Sequence, residues 1–195
     1  MEPFELLPYL VQTLERLRLP YLITGSTATS LYGEPRFTND IDVIVDLREQ
    51  QVAAFCAAFP DPEYYLSEVA VREAIKQHRQ FNIIHPTSGL KVDVIIPKDT
   101  PFDRSRLSRG IRLAAGPGYN ASFASPEDVI VKKLDFFRQG GSDKHLRDIA
   151  GVMKIRRDEL DLSYINHWAT ELGLLDVWAA VLKRVNGGAV NASGE

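Results

Sequence analysis

Residues 22–45 read LITGSTATSLYGEPRFTNDIDVIV, and the rest of the chain is organised around them. The apolar run Tyr21 to Ile23 predicts a strand, and Gly25-Ser26 breaks it. Thr27 to Tyr32 is long enough for two helical turns, and a polar turn follows from Gly33 to Asn39. Asp40 to Val45 then alternates as a second strand. Strand side chains point to alternate faces, so Asp40 and Asp42 share one face while Ile41 and Val43 take the other. Like charges held together on one face repel. A divalent cation removes the repulsion, and Mg²⁺ in particular takes carboxylates together with substrate phosphates. The plainer reading of the pair is an exposed strand start that carries two acids.

A third carboxylate weighs against the plainer reading. Lys91 to Ile96 is another strand, with Asp93 among β-branched residues. Acids are rare in such runs unless paired or bound to metal. If the two strands are neighbours, Asp93 completes a cluster with Asp40 and Asp42 that can hold two divalent ions, the arrangement used in phosphoryl and nucleotidyl transfer. Gly25-Ser26 fits the same chemistry. Glycine lets the backbone approach a ligand closely, and open amides at a helix start bind phosphate.

The order of strand, Gly25-Ser26, thirteen intervening residues, Asp40-Ile41-Asp42 and a later strand acid at Asp93 resembles the nucleotidyltransferase superfamily, with the DNA polymerase beta-like fold. The run from Gly25 to Val45 looks like its small bacterial and archaeal branch, which includes toxins of the AbiEii type. The match spans roughly residues 20–155. The resemblance implies an α/β (α+β) fold: a nucleotidyltransferase-like mixed sheet flanked by helices, with a C-terminal helical extension. It also implies that Gly25 and Ser26 hold a triphosphate and that Asp40, Asp42 and Asp93 bind metal. Thr38 is similar to a hydroxyl residue found before the acid pair, where it can steady a carboxylate or a phosphate. Some members of the superfamily act only as binding or regulatory partners.

Composition sets the outer limits. The chain of 195 residues is 45% hydrophobic and 25% charged, ordinary for a globular chain. Its net charge of -3 argues against an overall basic nucleic-acid binder but allows a local basic patch. The single cysteine, Cys56, lies in a helical apolar pattern and is expected in the core. It excludes a disulfide framework and favours a cytoplasmic home. No segment reads as a signal peptide or a membrane span. Four histidines without close Cys or His partners speak against structural zinc.

Along the chain, helical spacing of Leu6, Leu10, Leu14 and Leu17 predicts a helix over 4–18 that Pro20 stops. Residues 47–59 and 67–78 read as helices, with Ser67 as an N-cap for the second and a short strand at 64–66 before it. Residues 80–85 and 90–96 form a hairpin around Pro86-Thr87-Ser88-Gly89. Its second strand places Lys91 on the face of Asp93. Residues 97–112 are rich in cations (Lys98, Arg104, Arg106, Arg109, Arg112) and would be the first place to look for RNA backbone contacts, or else a solvated turn. Arg36 can meet a phosphate or pair with an acid. A short helix is expected over 102–108, and residues 114–123 read as loop with at most a short strand.

Ser125-Pro126-Glu127-Asp128 is a strong helix start, and that helix is expected to run to about Arg138. Asp128 and Lys132 stand four apart, which predicts a surface pair. Lys133 lies on the apolar stripe and either snorkels or reaches a buried anion. Related sequences make it the preferred phosphate contact over Lys132. A helix near 143–153 carries Asp148 opposite its apolar stripe, where toxin-like relatives often have a functional acid. Two further helices follow from Leu160. The expected division is a nucleotidyltransferase-like core over 1–124, a helical region over 125–185 and a disordered tail over 186–195.

The function these readings favour is metal-dependent nucleotidyl transfer. An NTP such as ATP would give its nucleoside monophosphate to an acceptor hydroxyl, with a two-ion Mg²⁺ site. The resemblance implies tRNA as acceptor, with an antibiotic or a protein close behind, and a cognate antitoxin-like protein as a possible partner. A non-catalytic nucleotide-binding or toxin–antitoxin interaction module is the alternative. A nuclease using the acid trio fits Gly25-Ser26 less well.

Overall fold

The computed structural model describes residues 3–35, 38 and 40–190. Arg36, the candidate phosphate contact, lies outside the described residues, as do residues 191–195. The chain forms two compact units, residues 1–27 with 37–124 and residues 28–36 with 125–195.

The first unit is built on a six-stranded mixed sheet. Its strands are β1 (Tyr21–Thr24), β2 (Asp40–Val45), β3 (Gln80–His85), β4 (Leu90–Ile95), β5 (Ile111–Gly116) and β6 (Tyr119–Phe123), in the order β3-β4-β2-β1-β6-β5. β2 runs parallel to β4 and β1 parallel to β6, while the remaining neighbours are antiparallel. The mixed sheet with flanking helices is the architecture the sequence predicts. Alternation sorts β3 and β4 cleanly. Phe81, Ile83, Val92 and Val94 are buried on one face, and Asn82, Lys91 and Asp93 are half-buried on the other.

Helix α1 (Pro3–Arg16) buries Leu6, Leu10 and Leu14. Its Tyr9 stacks on Tyr64 with ring centroids 5.5 Å apart and meets Phe59 edge-on. Offset and edge-to-face pairs of this kind add to simple burial. Helix α2 (Gly25–Tyr32) starts directly after β1. The expected helix over 47–59 is a 3₁₀ turn at Glu49–Gln51 followed by α3 (Val52–Ala57), and Cys56 is half-buried rather than in the core. The expected strand at 64–66 is a single bridge between Tyr65 and Ile84. Helix α4 (Glu68–Gln77) is capped by Ser67, whose hydroxyl accepts from the Ala70 amide.

Three of the five cations over 97–112 pair with acids. Helix α5 (Pro101–Ser108) folds Arg106 back onto Asp103 at 2.7 Å, with both side chains buried. Arg104 pairs with Asp99, and Arg112 pairs with Glu15 at 2.6 Å. The loop expected over 114–123 is a β-hairpin. Leu113-Ala114-Ala115-Gly116 has little intrinsic strand preference, and pairing with β6 sets its conformation.

Glu15 also accepts a hydrogen bond from the Tyr21 hydroxyl at 2.8 Å. The Arg112 hydrogen bond holds the Glu15 carboxyl below its ordinary value; burial opposes this and Tyr21 assists it. A lowered carboxyl contributes stability above its unfolded value and loses it as pH falls through the folded one. Glu15→Gln should therefore lower the melting temperature most above the ordinary value of 4.5, and the gap to wild type should close as pH drops below it. Thermal unfolding across an acid pH series checks this, and a gap that does not change with pH would refute it.

The second unit gathers the rest of α2 with α6 (Pro126–Gly140), α7 (Asp143–Arg156), α8 (Leu162–Glu171) and α9 (Leu175–Val190). α9 continues into the stretch read as a tail from Asn186. Ser125 caps α6 by accepting from the Asp128 amide at 3.2 Å. The predicted surface pair of Asp128 and Lys132 does not form. Asp128 is buried and accepts from the Tyr164 hydroxyl at 2.7 Å, while Lys132 pairs with Asp135 at 2.9 Å. Glu127 beside it accepts from the Asp161 amide, so the acids of the first turn of α6 anchor the start of α8. Trp178 is buried and its indole donates to Asn166 at 2.7 Å. Gly33 and Gly151 let α2 approach α7 at backbone distance: a Cβ on Gly33 would stand 3.0 Å from the Val152 nitrogen. Among the described residues no helix is long and apolar enough to cross a membrane.

Candidate active site

Register, more than composition, assembles the site. In the parallel pair, Asp42 stands opposite Asp93 and Asp40 opposite Lys91. On either side, Thr24 pairs with Asp42 and Asn82 with Asp93. Register partners share a face, so Thr24, Asp42, Asp93 and Asn82 form one polar row across four strands, with Asp40 and Lys91 in the next row. Neighbouring strands stand about 4.8 Å apart, which brings the Asp42 and Asp93 carboxylates close without a long side chain to bridge them.

Gly25 closes the row from the β1 side. Its φ is +59°, and a Cβ added there would collide with the Asp42 carboxylate, with the Asp42 Cβ only 2.7 Å away. The turn that opens α2 therefore lies directly against Asp42, and Ser26 follows it. This is the close backbone approach that the Gly-Ser pair implies. Gly25→Ala should cost about 1–2 kcal/mol from the left-handed backbone alone and should also displace Asp42. Urea unfolding checks this, and a variant with native stability would refute it.

Lys91 supplies the positive charge. Its Nζ is 3.1 Å from Asp93 Oδ2 and 3.8 Å from Asp40 Oδ1. The hydrogen bond to Asp93 raises the Lys91 pKa above the ordinary lysine value; burial opposes the shift, and the charges of Asp93, Asp40 and Asp42 add to it. The other oxygen of Asp93, Oδ1, accepts from the Asn82 side-chain amide. Thr38 bonds the backbone of Asp40 rather than a carboxylate, its hydroxyl donating to the Asp40 carbonyl at 3.2 Å.

Carboxylate oxygens are the hard ligands Mg²⁺ takes, and the row places them on one face. Among the described residues, however, no group of three Asp, Glu, His or Cys side chains converges to hold a metal ion. Asp40, Asp42 and Asp93 match the cation in donor type and share one face of the sheet, and Lys91 stands among them.

Lys133 and Asp148 belong to the second unit and meet each other. The Lys133 ammonium donates to Asp148 Oδ2, with side-chain exposures of 6% and 7%. Of the two fates open to Lys133, the buried anion is realised. Asp148, expected opposite the apolar stripe, is buried instead. It also lines a pocket of about 370 Å³ with Thr29, Glu34, Lys144 and Arg147. Sequence reading missed Asn82 and the bridging role of Lys91. The only signal available was the i, i+2 spacing of Lys91 and Asp93.

No protein-family model matches the chain, and no curated protein matches its sequence. Solved structures do match in fold. The chain is similar to ANT(2'')-Ia in complex with adenylyl-2''-tobramycin, with a TM-score of 0.60 at 12% identity, covering 90% of this chain and 98% of that one. The solution structure of the antibiotic-resistance factor ANT(2'')-Ia gives 0.55 at 14% identity, covering 94% and 97%. An antigenic nucleotidyltransferase-like protein from Paracoccidioides brasiliensis gives 0.53 at 17% identity, covering 92% of each chain. At these identities the likeness is one of fold, and the fold is that of nucleotidyltransferase-like proteins.

Proposed function

We propose that this protein transfers a nucleoside monophosphate from an NTP to an acceptor hydroxyl. The observation that carries the reading is the polar row itself: Asp42 and Asp93 in register on parallel strands, with the Gly25 backbone lying against Asp42. A fold shared with nucleotidyltransferase-like proteins supports it. Asp40, Asp42 and Asp93 would hold Mg²⁺, which would neutralise triphosphate charge and lower the pKa of the acceptor hydroxyl. The amides at Gly25 and Ser26, at the start of α2, would bind phosphate oxygens. The acceptor oxygen attacks the α-phosphorus, the α–β anhydride breaks and pyrophosphate leaves. The acceptor proton passes to the Asp93 carboxylate. Rate enhancement then comes from positioning and charge neutralisation.

For the acceptor, we favour a small hydroxyl-bearing molecule over tRNA. Three of the five cations over 97–112 have acidic partners: Arg106 is buried with Asp103, and Arg104 and Arg112 pair with Asp99 and Glu15. A phosphate role for Lys133 would require Asp148 to release it. A cytoplasmic setting and Mg²⁺ as the working ion belong to the same proposal.

A second reading, a nucleotide-binding module without turnover, draws on one observation. Lys91 sets a positive charge of the chain's own beside Asp40 and Asp93. Incubation of each α-labelled NTP and Mg²⁺ with an aminoglycoside panel, total tRNA and a protein extract separates the readings. Label in the small-molecule pool supports the proposal as stated. Label in tRNA or protein keeps the transfer and overturns the acceptor. Mg²⁺-dependent NTP binding with no label in any pool favours the second reading.

A further inference from the structure

Three carboxylates brought to one face need a counter-charge before any metal arrives. Lys91 occupies that position. It reaches Asp93 Oδ2 at 3.1 Å and Asp40 Oδ1 at 3.8 Å, and it comes from the same strand as Asp93. Asn82 takes the remaining oxygen of Asp93. Both Asp93 oxygens therefore have a protein donor, and each keeps a second lone pair that can face a cation. Asn82 is neutral and does not oppose one. The Lys91 ammonium, placed between Asp93 and Asp40, repels any cation that approaches the same oxygens and has to move away. The Lys91 side chain is 34% exposed, its stem is long and flexible, and its ammonium is readily rehydrated.

We infer that Lys91 is the resident counter-cation of the acid row, and that a divalent cation binds by displacing its ammonium from Asp93 and Asp40. Lys91 is thus a positioning residue that sets the metal affinity of the site. The inference rests on the carboxylate-metal reading proposed above. It assigns Lys91 a role opposite to that of a ligand: removing it should improve metal binding.

The test uses the full chain without nucleotide and Mn²⁺ as probe, with free Mn²⁺ followed by electron paramagnetic resonance. Lys91→Gln should bind Mn²⁺ about tenfold more tightly than wild type, which corresponds to about 1.4 kcal/mol. Lys91→Arg keeps a cation in place and should stay close to wild type. Asp42→Asn should lose the binding. If Lys91→Gln binds Mn²⁺ no more tightly than wild type while Asp42→Asn abolishes binding, the counter-cation role is overturned and the carboxylate metal site stands. If neither wild type nor Lys91→Gln binds Mn²⁺, and both melt cooperatively, the metal site itself is overturned and this inference goes with it. A Lys91 that only braced the strands would lower the melting temperature on substitution and leave Mn²⁺ affinity unmoved.

Discussion

Asp42→Asn is expected to abolish nucleotidyl transfer while leaving the fold intact. Asp42 sits between Thr24 and Asp93 in the polar row, with the Gly25 turn against it. Asparagine matches its volume and keeps one acceptor oxygen, so the packing under Gly25 survives. The lost charge removes the central anion of the row proposed to hold the cation. A fall of roughly 10³-fold in turnover is expected, about 4 kcal/mol of transition-state stabilisation at 1.36 kcal/mol per tenfold. Initial rates of labelled product formation measure it, with circular dichroism to confirm folding. A well-folded Asp42→Asn that kept more than a tenth of wild-type activity would sink the assignment of this row as the catalytic centre.

The largest effect on stability is expected at the other charged pair. Lys133 and Asp148 are buried together, with their charges bonded to each other. Removing one partner takes the opposite charge away from a side chain that is buried. Asp148→Ala or Lys133→Met should each cost about 3–5 kcal/mol. That corresponds to a fall in melting temperature of roughly 10 °C for a chain of this size. The double substitution Lys133→Met with Asp148→Leu should cost less than either single change, because no charge is left unpaired. Both tryptophans, Trp168 and Trp178, lie in the same helical unit, so their fluorescence follows this unfolding directly. Single variants that melt within a degree or two of wild type would show that the pair is not structural. Such variants would return Lys133 to the phosphate role, to be read by NTP titration.

What could be read from the chain was local. Alternation in Asp40–Val45 and in Leu90–Ile95 gives both strands and the shared face of the acids. Ser67 and Ser125 announce their helices by capping chemistry that acts within one turn. The losses were of one kind. β5 has no β-branched residue between Leu113 and Gly116 and takes its form from β6. Asp128 has the spacing for a surface pair with Lys132, yet Tyr164, far along the chain, draws it inward. Lys91 could be placed on the face of Asp93 by counting, but its approach to Asp40 depends on a parallel register that periodicity does not specify. The partners of Lys133 and Arg106 are likewise set by packing, with burial removing the water that would otherwise solvate each charge.

The parallel pairing of β2 with β4 also governs how the acids meet as the chain is made. Asp40 and Asp42 emerge first from the ribosome, and Asp93 follows roughly fifty residues later. Such non-local pairings form late, after the cost of closing the intervening loop has been met. The strand that delivers the third carboxylate delivers Lys91 in the same stroke. The register that sets Asp93 beside Asp42 sets Lys91 beside Asp40. The sheet closes with a cation of the chain's own already beside the acids it brings together.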